Sequence, residues 1–373
     1  VKGEELVDDP SIEATREPRS AKGRIPYLDG LRGYSIITVI VYHGIFLLHI
    51  PRWVTPLTLS FGNGDLGVRI FFVLSGFLIS SLLFKEMRST GTISLRGFYE
   101  RRVARIFPAA YAFVGAIAIL AAVGVVHLGW RPIVAAGTYT WNYSILFRFF
   151  PFDKNTVILN HFWTLSLEEQ FYLFWPCCLL LLGARKGKVV AIAAVLSLPL
   201  VRLASYLLVP ASRPQLSAMF HTGADQIMWG VLAAYVYAEG LHLEWAKKPT
   251  FKYVVFGLAL FSLYPLAILS EKYSVLGRFV DPTVDCVSAA LFILWLLSQS
   301  GGFIRAVLEW KPLMWLGSLS FSLYIWQQLF FAETSPIKVI FPFDALLSLL
   351  AATFSFYVIE VPLRKRIRAY FHQ

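Results

Sequence analysis

Along this chain hydrophobic residues fall in runs of near-membrane length, separated by shorter polar stretches. Ten such runs can be drawn, at about 34–50, 66–85, 107–127, 161–183, 187–209, 222–239, 251–270, 281–299, 313–332 and 338–361. About 20 consecutive apolar residues make a helix long enough to cross the hydrocarbon core of a bilayer. In lipid each backbone N–H and C=O has to be bonded within its own segment, so these runs predict helices rather than strands. The predicted fold is all-α, a polytopic membrane protein of about ten transmembrane helices. An even count puts both chain ends on one side. The apolar stretch 132–148 is interrupted by Trp141, Asn142 and Tyr143 and reads as a re-entrant or interfacial segment; a further crossing there would break the parity.

The flanks complete the organisation. Residues 1–24 read as a polar tail without fixed structure, with no apolar core of the kind a signal peptide needs. Residues 25–366 form the membrane domain, and 367–373 a short basic C-terminal tail. No soluble catalytic domain fits between the runs, so any chemistry belongs among the helices.

Composition sharpens the class. The chain is 57% hydrophobic and only 15% charged, against about 25% charged in soluble domains. Its 31 Phe, 17 Tyr and 11 Trp suit helix packing and interfacial belts. The net charge of +11 suggests nucleic acid until the positions are read. With the N-terminus inside, 23 of the 34 Lys and Arg fall in inner segments and eight in outer ones. That bias follows the positive-inside rule and predicts both termini cytoplasmic, in the cell (inner) membrane. The charge is spread over loops rather than gathered on one soluble face, which excludes a nucleic-acid binder. Cys177, Cys178 and Cys286 lie in apolar runs, the first two pointing apart on one helix, so a structural disulfide is not expected. No metal-ligand spacing occurs.

Candidate chemistry starts in PYLDGLRGYSIITVIVYHGIFLLHI, residues 26–50. Asp29 and Arg32 precede the apolar run, and His43 sits in its middle. Eleven residues carry Arg32 to His43, about three turns and about 16 Å of rise on one helix face. An ionisable group inside hydrocarbon is a functional candidate by default, and a histidine bonded to a neighbouring helix is the rival reading. In GDLGVRIFFVLSGFLIS (64–80), Asp65 and Arg69 are spaced to pair, and Ser75–Gly76 lets another helix approach. In FYERRVARIFPAAY (98–111), Arg102 and Arg105 share a face, with Arg101 and Arg96 near by. Arginine forks suit phosphate, while plain topology and anionic lipid explain them equally. The fourth run opens HFWTLSLEEQFYLFWP (161–176), crowding His161, Trp163, Ser166, Glu168, Glu169, Gln170 and Tyr172 at its outer end. Glu168 and Glu169 point about 100° apart; either can orient a histidine or take a proton, with an ion pair to Arg69 as the alternative. Asp225 and Tyr324 add polar groups from the sixth and ninth runs, and Glu360, beside the basic tail, reads as a structural salt bridge.

Polar groups at the outer half, an arginine patch at the inner face, and Arg32 and His43 between them suit a reaction whose substrates arrive from opposite sides. They equally suit a translocation path.

In this order the motifs PYLDGLRG with Arg32 and His43, FFVLSGFLIS, Arg102-x-x-Arg105 before IFP, and HFWTLSLEEQFYLFWP resemble the acyltransferase-3 family of membrane proteins over about 24–366. Members O-acylate, mostly O-acetylate, surface polysaccharides, lipopolysaccharide, peptidoglycan-related sugars or small glycosylated products. The resemblance implies an acyl-CoA donor, usually acetyl-CoA, used from the cytoplasm, and no metal. It implies that Arg32 and His43 are essential and that Arg102 and Arg105 serve the CoA phosphates. The family often has an acid near Arg69 and a histidine where Gln327 stands, so Gln327 receives no role and Arg69 little. The absence of the fused extracellular hydrolase-like domain of many relatives predicts the stand-alone form.

The expected partners are membrane lipid, acyl-CoA and a carbohydrate or lipid-linked glycan acceptor. His43 is expected as general base or acyl relay, Arg32 as oxyanion donor, and Glu168, Glu169 and Asp29 beside them. Arg102, Arg105, Arg101 and Arg96 are expected on the CoA, and Trp163, His161, Ser166, Tyr172, Asp225 and Tyr324 on the acceptor. A transporter of acyl groups or acylated glycans, without transferase chemistry, is the alternative.

Overall fold

The computed structural model of the chain describes residues 25–47, 63–337, 339 and 341–371. The polar tail over 1–24, the end of the first run and residues 372–373 lie outside them. Among the described residues every regular element is helical. The principal helices are α1 (Pro26–Leu47), α2 (Gly64–Thr90), α3 (Leu95–Ala122), α4 (Trp130–Gly137), α5 (Phe162–Leu208) and α6 (Asp225–Ala238). They continue with α7 (Pro249–Leu263), α8 (Asp281–Leu297), α9 (Lys311–Phe331), α10 (Phe343–Phe354) and α11 (Val361–Phe371).

Helix falls on each of the ten apolar runs, with local departures that have physical causes. The fourth and fifth runs follow each other directly as the two helical halves of α5, parted at Gly183, whose non-helical φ of 74° is one that glycine adopts without steric cost. The seventh run breaks at Tyr264–Pro265, because proline lacks the N–H that would continue the helix. The segment 132–148 holds only the eight-residue α4 and a single 3-10 turn, Trp141–Tyr143; neither is long enough to cross a membrane. Helix continues past the tenth run: α10 passes through a π-helical turn, Ser355–Glu360, and goes on as helix to Phe371. Four stretches are long and apolar enough to cross a membrane by length and composition: Gly64–Thr90, Leu95–Ala122, Thr156–Leu208 and Phe343–Ile367.

Caps fix the turn that carries the arginine patch. Gly91, at φ 76°, ends α2 and donates its N–H to the Met87 carbonyl, and Ser94 opens α3 by accepting from Gly97 N. Packing between helices relies on missing side chains. A Cβ on Gly76 of α2 would run into the Ile227 carbonyl oxygen of α6, and one on Gly230 of α6 would run into that of Val73. Gly317 of α9 sits in the same way against the Asp29 carbonyl of α1. Such close backbone approach is how membrane helices associate without a hydrophobic driving force.

The contacts also give directions. Gly33 meets Leu313 and His43 meets Phe331, so α1 and α9 run parallel. Gly67 meets Ser35 and Gly64 meets Tyr42, so α2 runs against α1. Helix α5 runs with α2, through Ser75–Glu168 and Ser80–Trp175. Helix α11 packs against α3, which brings both ends of the described chain to the bundle end that carries the arginines. Two buried ion pairs cross-link the bundle: Arg69 of α2 with Asp285 of α8, and Arg202 of α5 with Asp225 of α6, both at 2.5 Å.

Candidate active site

The arginine end of the bundle opens into a cavity of about 1470 Å³. It reaches from Ile25, Arg88 and Arg364 inward to Thr164 and Tyr324. Helices α1, α2, α3, α5, α9 and the π turn before α11 all contribute to its wall.

Arg32, Arg102 and Arg105 of that wall form no ion pair among the described residues, and neither does Arg88, which donates to the Ala238 carbonyl. Arg32 projects from α1, and Arg102 and Arg105 from one face of α3, as their spacing requires. The Arg32 Nε is buried without a hydrogen bond among the described residues. The Arg102 guanidinium instead lies over the rings of Tyr172 and Phe98, at 5.5 and 5.9 Å. The other two candidate cations are engaged. Arg101 lines the cavity but reaches Glu86 at 3.3 Å, and Arg96 is exposed, bound to Glu100 at 2.7 Å, and outside the cavity.

Glu168 lines the same cavity and accepts a 2.7 Å hydrogen bond from Ser75 Oγ. Glu169 does not line it; its electrostatic neighbours include Tyr139 and Tyr111. Packing of α5 on α2 therefore separates two glutamates that the sequence leaves equivalent. Asp29 is in the cavity wall beside Arg32, and Tyr172 and Tyr324 are there too.

His43 lies outside the cavity wall, half-buried, its ring 6.2 Å from that of Phe331. Its Nδ1 is 2.9 Å from the Val39 carbonyl. A carbonyl only accepts, so Nδ1 carries the hydrogen, and a neutral ring then keeps the Nε2 lone pair for a proton. The side chain of Gln327 lies beside this ring. His161 is near enough to His43 to act on it electrostatically, and Tyr324 belongs to the cavity wall. The Tyr324 hydroxyl meets Thr164 Oγ1 at 2.8 Å, its ring packs edge-on to His161 at 5.7 Å, and both nitrogens of His161 are buried without a hydrogen bond among the described residues.

The remaining candidates sit elsewhere. Ser166 Oγ bonds its own helix at the Phe162 carbonyl, and Trp163 packs edge-on against Phe72. Asp225 is fully buried against Arg202, away from the cavity. Arg69 reaches Asp65 at 3.7 Å, as its spacing indicates, but its closer partner is Asp285. The salt bridge expected at Glu360 is absent among the described residues: Ser322 and Ser355 donate to its Oε1 at 2.5 and 3.1 Å, and it lines the cavity. Sequence reasoning missed Thr164 and Arg305 in the wall and treated Ser75 as packing only. The one available signal was the placement of Ser75 in an apolar run facing a glutamate-bearing helix.

Residues 25–364 match a protein family described as an acyltransferase domain. YrhL of Bacillus subtilis, provisionally named a peptidoglycan O-acetyltransferase, is 26% identical over 364 residues, covering 91% of this chain and 55% of YrhL. The O-acetyltransferase OatA of Staphylococcus aureus is 27% identical over 365 residues, covering 92% of this chain and 57% of OatA. The chain thus spans about half the length of the curated relatives it matches. No solved structure matches it.

Proposed function

The chain belongs to this acyltransferase family, and from that premise we propose that it is a membrane O-acyltransferase moving an acetyl group from acetyl-CoA to a carbohydrate hydroxyl. One observation carries the reading: Arg32, Arg102 and Arg105 converge on a single cavity and form no ion pair among the described residues. Unpaired guanidinium groups in a half-buried wall call for an anion, and their planar forks match phosphate. Coenzyme A offers a pyrophosphate and a ribose phosphate. The cavity exceeds the roughly 300–1,000 Å³ of common small-ligand pockets, which suits a long donor. The names of YrhL and OatA support acetyl as the group moved, and that of YrhL supports a peptidoglycan sugar as acceptor.

In this mechanism the acceptor hydroxyl attacks the thioester carbonyl, its proton passes to His43 Nε2, and the C–S bond breaks to release the CoA thiolate. A hydroxyl is a poor nucleophile at neutral pH, and a positioned base contributes about 10²–10⁴-fold. Val39 holds the required tautomer. Arg32 stabilises the oxyanion, a role worth about 3 kcal/mol for a fixed donor. Arg102 and Arg105 hold the phosphates, and Arg101 follows once Glu86 releases it. Glu168, held by Ser75, acts on Arg32 through its charge without pairing with it. His43 is outside the wall of the cavity, so the acetyl end has to reach past that wall, while the acceptor comes from the opposite end of the bundle.

The deciding experiment mixes the purified protein with acetyl-CoA and a soluble glycan acceptor and measures thiol release. Acceptor-dependent thiol release is expected from the wild-type protein. A transporter would bind and move its cargo without freeing thiol, and that result would overturn the proposal.

A further inference from the structure

Glu360 is 5% exposed and ends the π-helical turn between α10 and α11. Such turns inside helices are frequent at functional sites. The carboxylate is used unevenly. Oε1 takes both serine hydroxyls, Ser322 at 2.5 Å and Ser355 at 3.1 Å. Oε2 has no hydrogen bond among the described residues, and it is not among the sealed polar atoms, although the residue lines the cavity. Arg105 and Arg364 are near enough to act on it electrostatically, but neither forms an ion pair with it. A carboxylate has about four acceptor positions and donates nothing. Its charge repels phosphate, so it divides the cavity wall: phosphates go to Arg102 and Arg105, and a neutral hydrogen-bond donor goes to Glu360.

We propose that Glu360, held by Ser322 and Ser355, is a recognition site for a hydrogen-bond-donating group of the acyl donor. This rests on the reading that a CoA thioester fills the cavity. Coenzyme A carries two sources of that chemistry, the adenine amino group and the amides and hydroxyl of its pantetheine arm. The serines fix one oxygen so that the other points to the ligand, and the site selects for a donor that brings an N–H or O–H to this position. The bond is charge-assisted, the stronger kind.

The test is calorimetric titration of the full chain in nanodiscs with CoA and with 1,N6-etheno-CoA, whose adenine amino group is blocked. Glu360→Gln keeps an oxygen for the serines and places an NH₂ where Oε2 was. Wild-type protein is expected to bind CoA about tenfold or more tightly than E360Q, the effect of one charge-assisted hydrogen bond, with melting temperatures unchanged. If etheno-CoA binds both proteins alike, the adenine amino group is the partner. If etheno-CoA shows the same loss in E360Q, the pantetheine arm is. Equal affinity of wild type and E360Q for CoA overturns the inference while leaving the donor reading standing. Failure of the wild-type protein to bind CoA overturns both. Should E360Q not fold, Glu360→Asp keeps the charge but withdraws it by one methylene; it is expected to weaken CoA binding likewise, and unchanged binding in folded E360D overturns the inference.

Discussion

Ser75 of α2 donates a 2.7 Å hydrogen bond to Oε1 of Glu168 on α5, and this bond ties a cavity carboxylate to a neighbouring helix. A hydrogen bond to a charged group is worth about 1.5–3 kcal/mol. Ser75→Ala leaves the carboxylate to swing toward Arg32. The variant is expected to lose about tenfold in kcat, read as thiol release, with little change in melting temperature. Glu168→Gln loses more, while Glu169→Gln, altered outside the cavity, stays within about twofold. Equal losses for the two glutamine variants would sink this assignment.

The phosphate assignment makes a binding prediction that needs no turnover. Arg102→Ala and Arg105→Ala each remove a fork that suits phosphate, and each is expected to weaken CoA binding by about 10–100-fold. Arg96→Ala, removing an exposed side chain already paired with Glu100, is expected to change nothing. Titration calorimetry with CoA separates these outcomes, and a matching loss in R96A would mean that the α3 charges act only as a general field.

Asp225 is expected to matter for folding instead. It pairs with Arg202 at 2.5 Å, and Arg202 also donates through Nε to the Thr222 carbonyl. Removing one partner of a buried ion pair costs about 3–5 kcal/mol, because the other charge is stranded. Asp225→Ala should therefore lower the melting temperature and the yield of folded protein. The fraction that does fold should bind CoA normally, which size-exclusion chromatography followed by titration checks.

The contact between α2 and α6 gives a steric prediction. Gly76→Leu forces a side chain into the Ile227 carbonyl, and Gly230→Leu does the same at Val73. Overpacking of this kind costs about 1–3 kcal/mol, occasionally more. Both variants are expected to melt at lower temperature. Gly115→Leu on α3, where a Cβ meets nothing, serves as the control and should melt with the wild type.

What could be read from the chain, and what could not, follows from the range of each signal. Apolar runs report helices directly, because their length is set by the bilayer and not by any partner. The shared face of Arg102 and Arg105 is equally local, being fixed by helical spacing. Glu168 and Glu169 are different: periodicity puts them about 100° apart, but only the packing of α5 on α2 says which one meets the cavity. Asp225 looked like a substrate ligand because Arg202, its partner, lies 23 residues away across a turn. Glu360 looked like half of a salt bridge because its sequence neighbours are basic. The π turn adds a residue to the helical repeat, and serines on α9 and within the turn occupy the carboxylate instead.

His43 supplies the sharpest separation of binding from chemistry. It is absent from the cavity wall that holds Arg32, Arg102 and Arg105, and the Tyr324–Thr164 pair belongs to that wall. A group that takes a proton but does not hold the donor should affect turnover alone. His43→Ala is expected to lower acceptor-dependent thiol release by about 10²–10⁴-fold while leaving CoA affinity and melting temperature at wild-type values. His43→Gln should behave in the same way, since an amide keeps the polarity but takes no proton. Tyr324→Phe removes the bond to Thr164 and loosens the cavity wall, so faster acetyl-CoA hydrolysis without acceptor is expected. If either His43 variant keeps full transfer activity, the base is another residue. If both lose CoA binding as well, His43 shapes the cavity instead of serving the reaction.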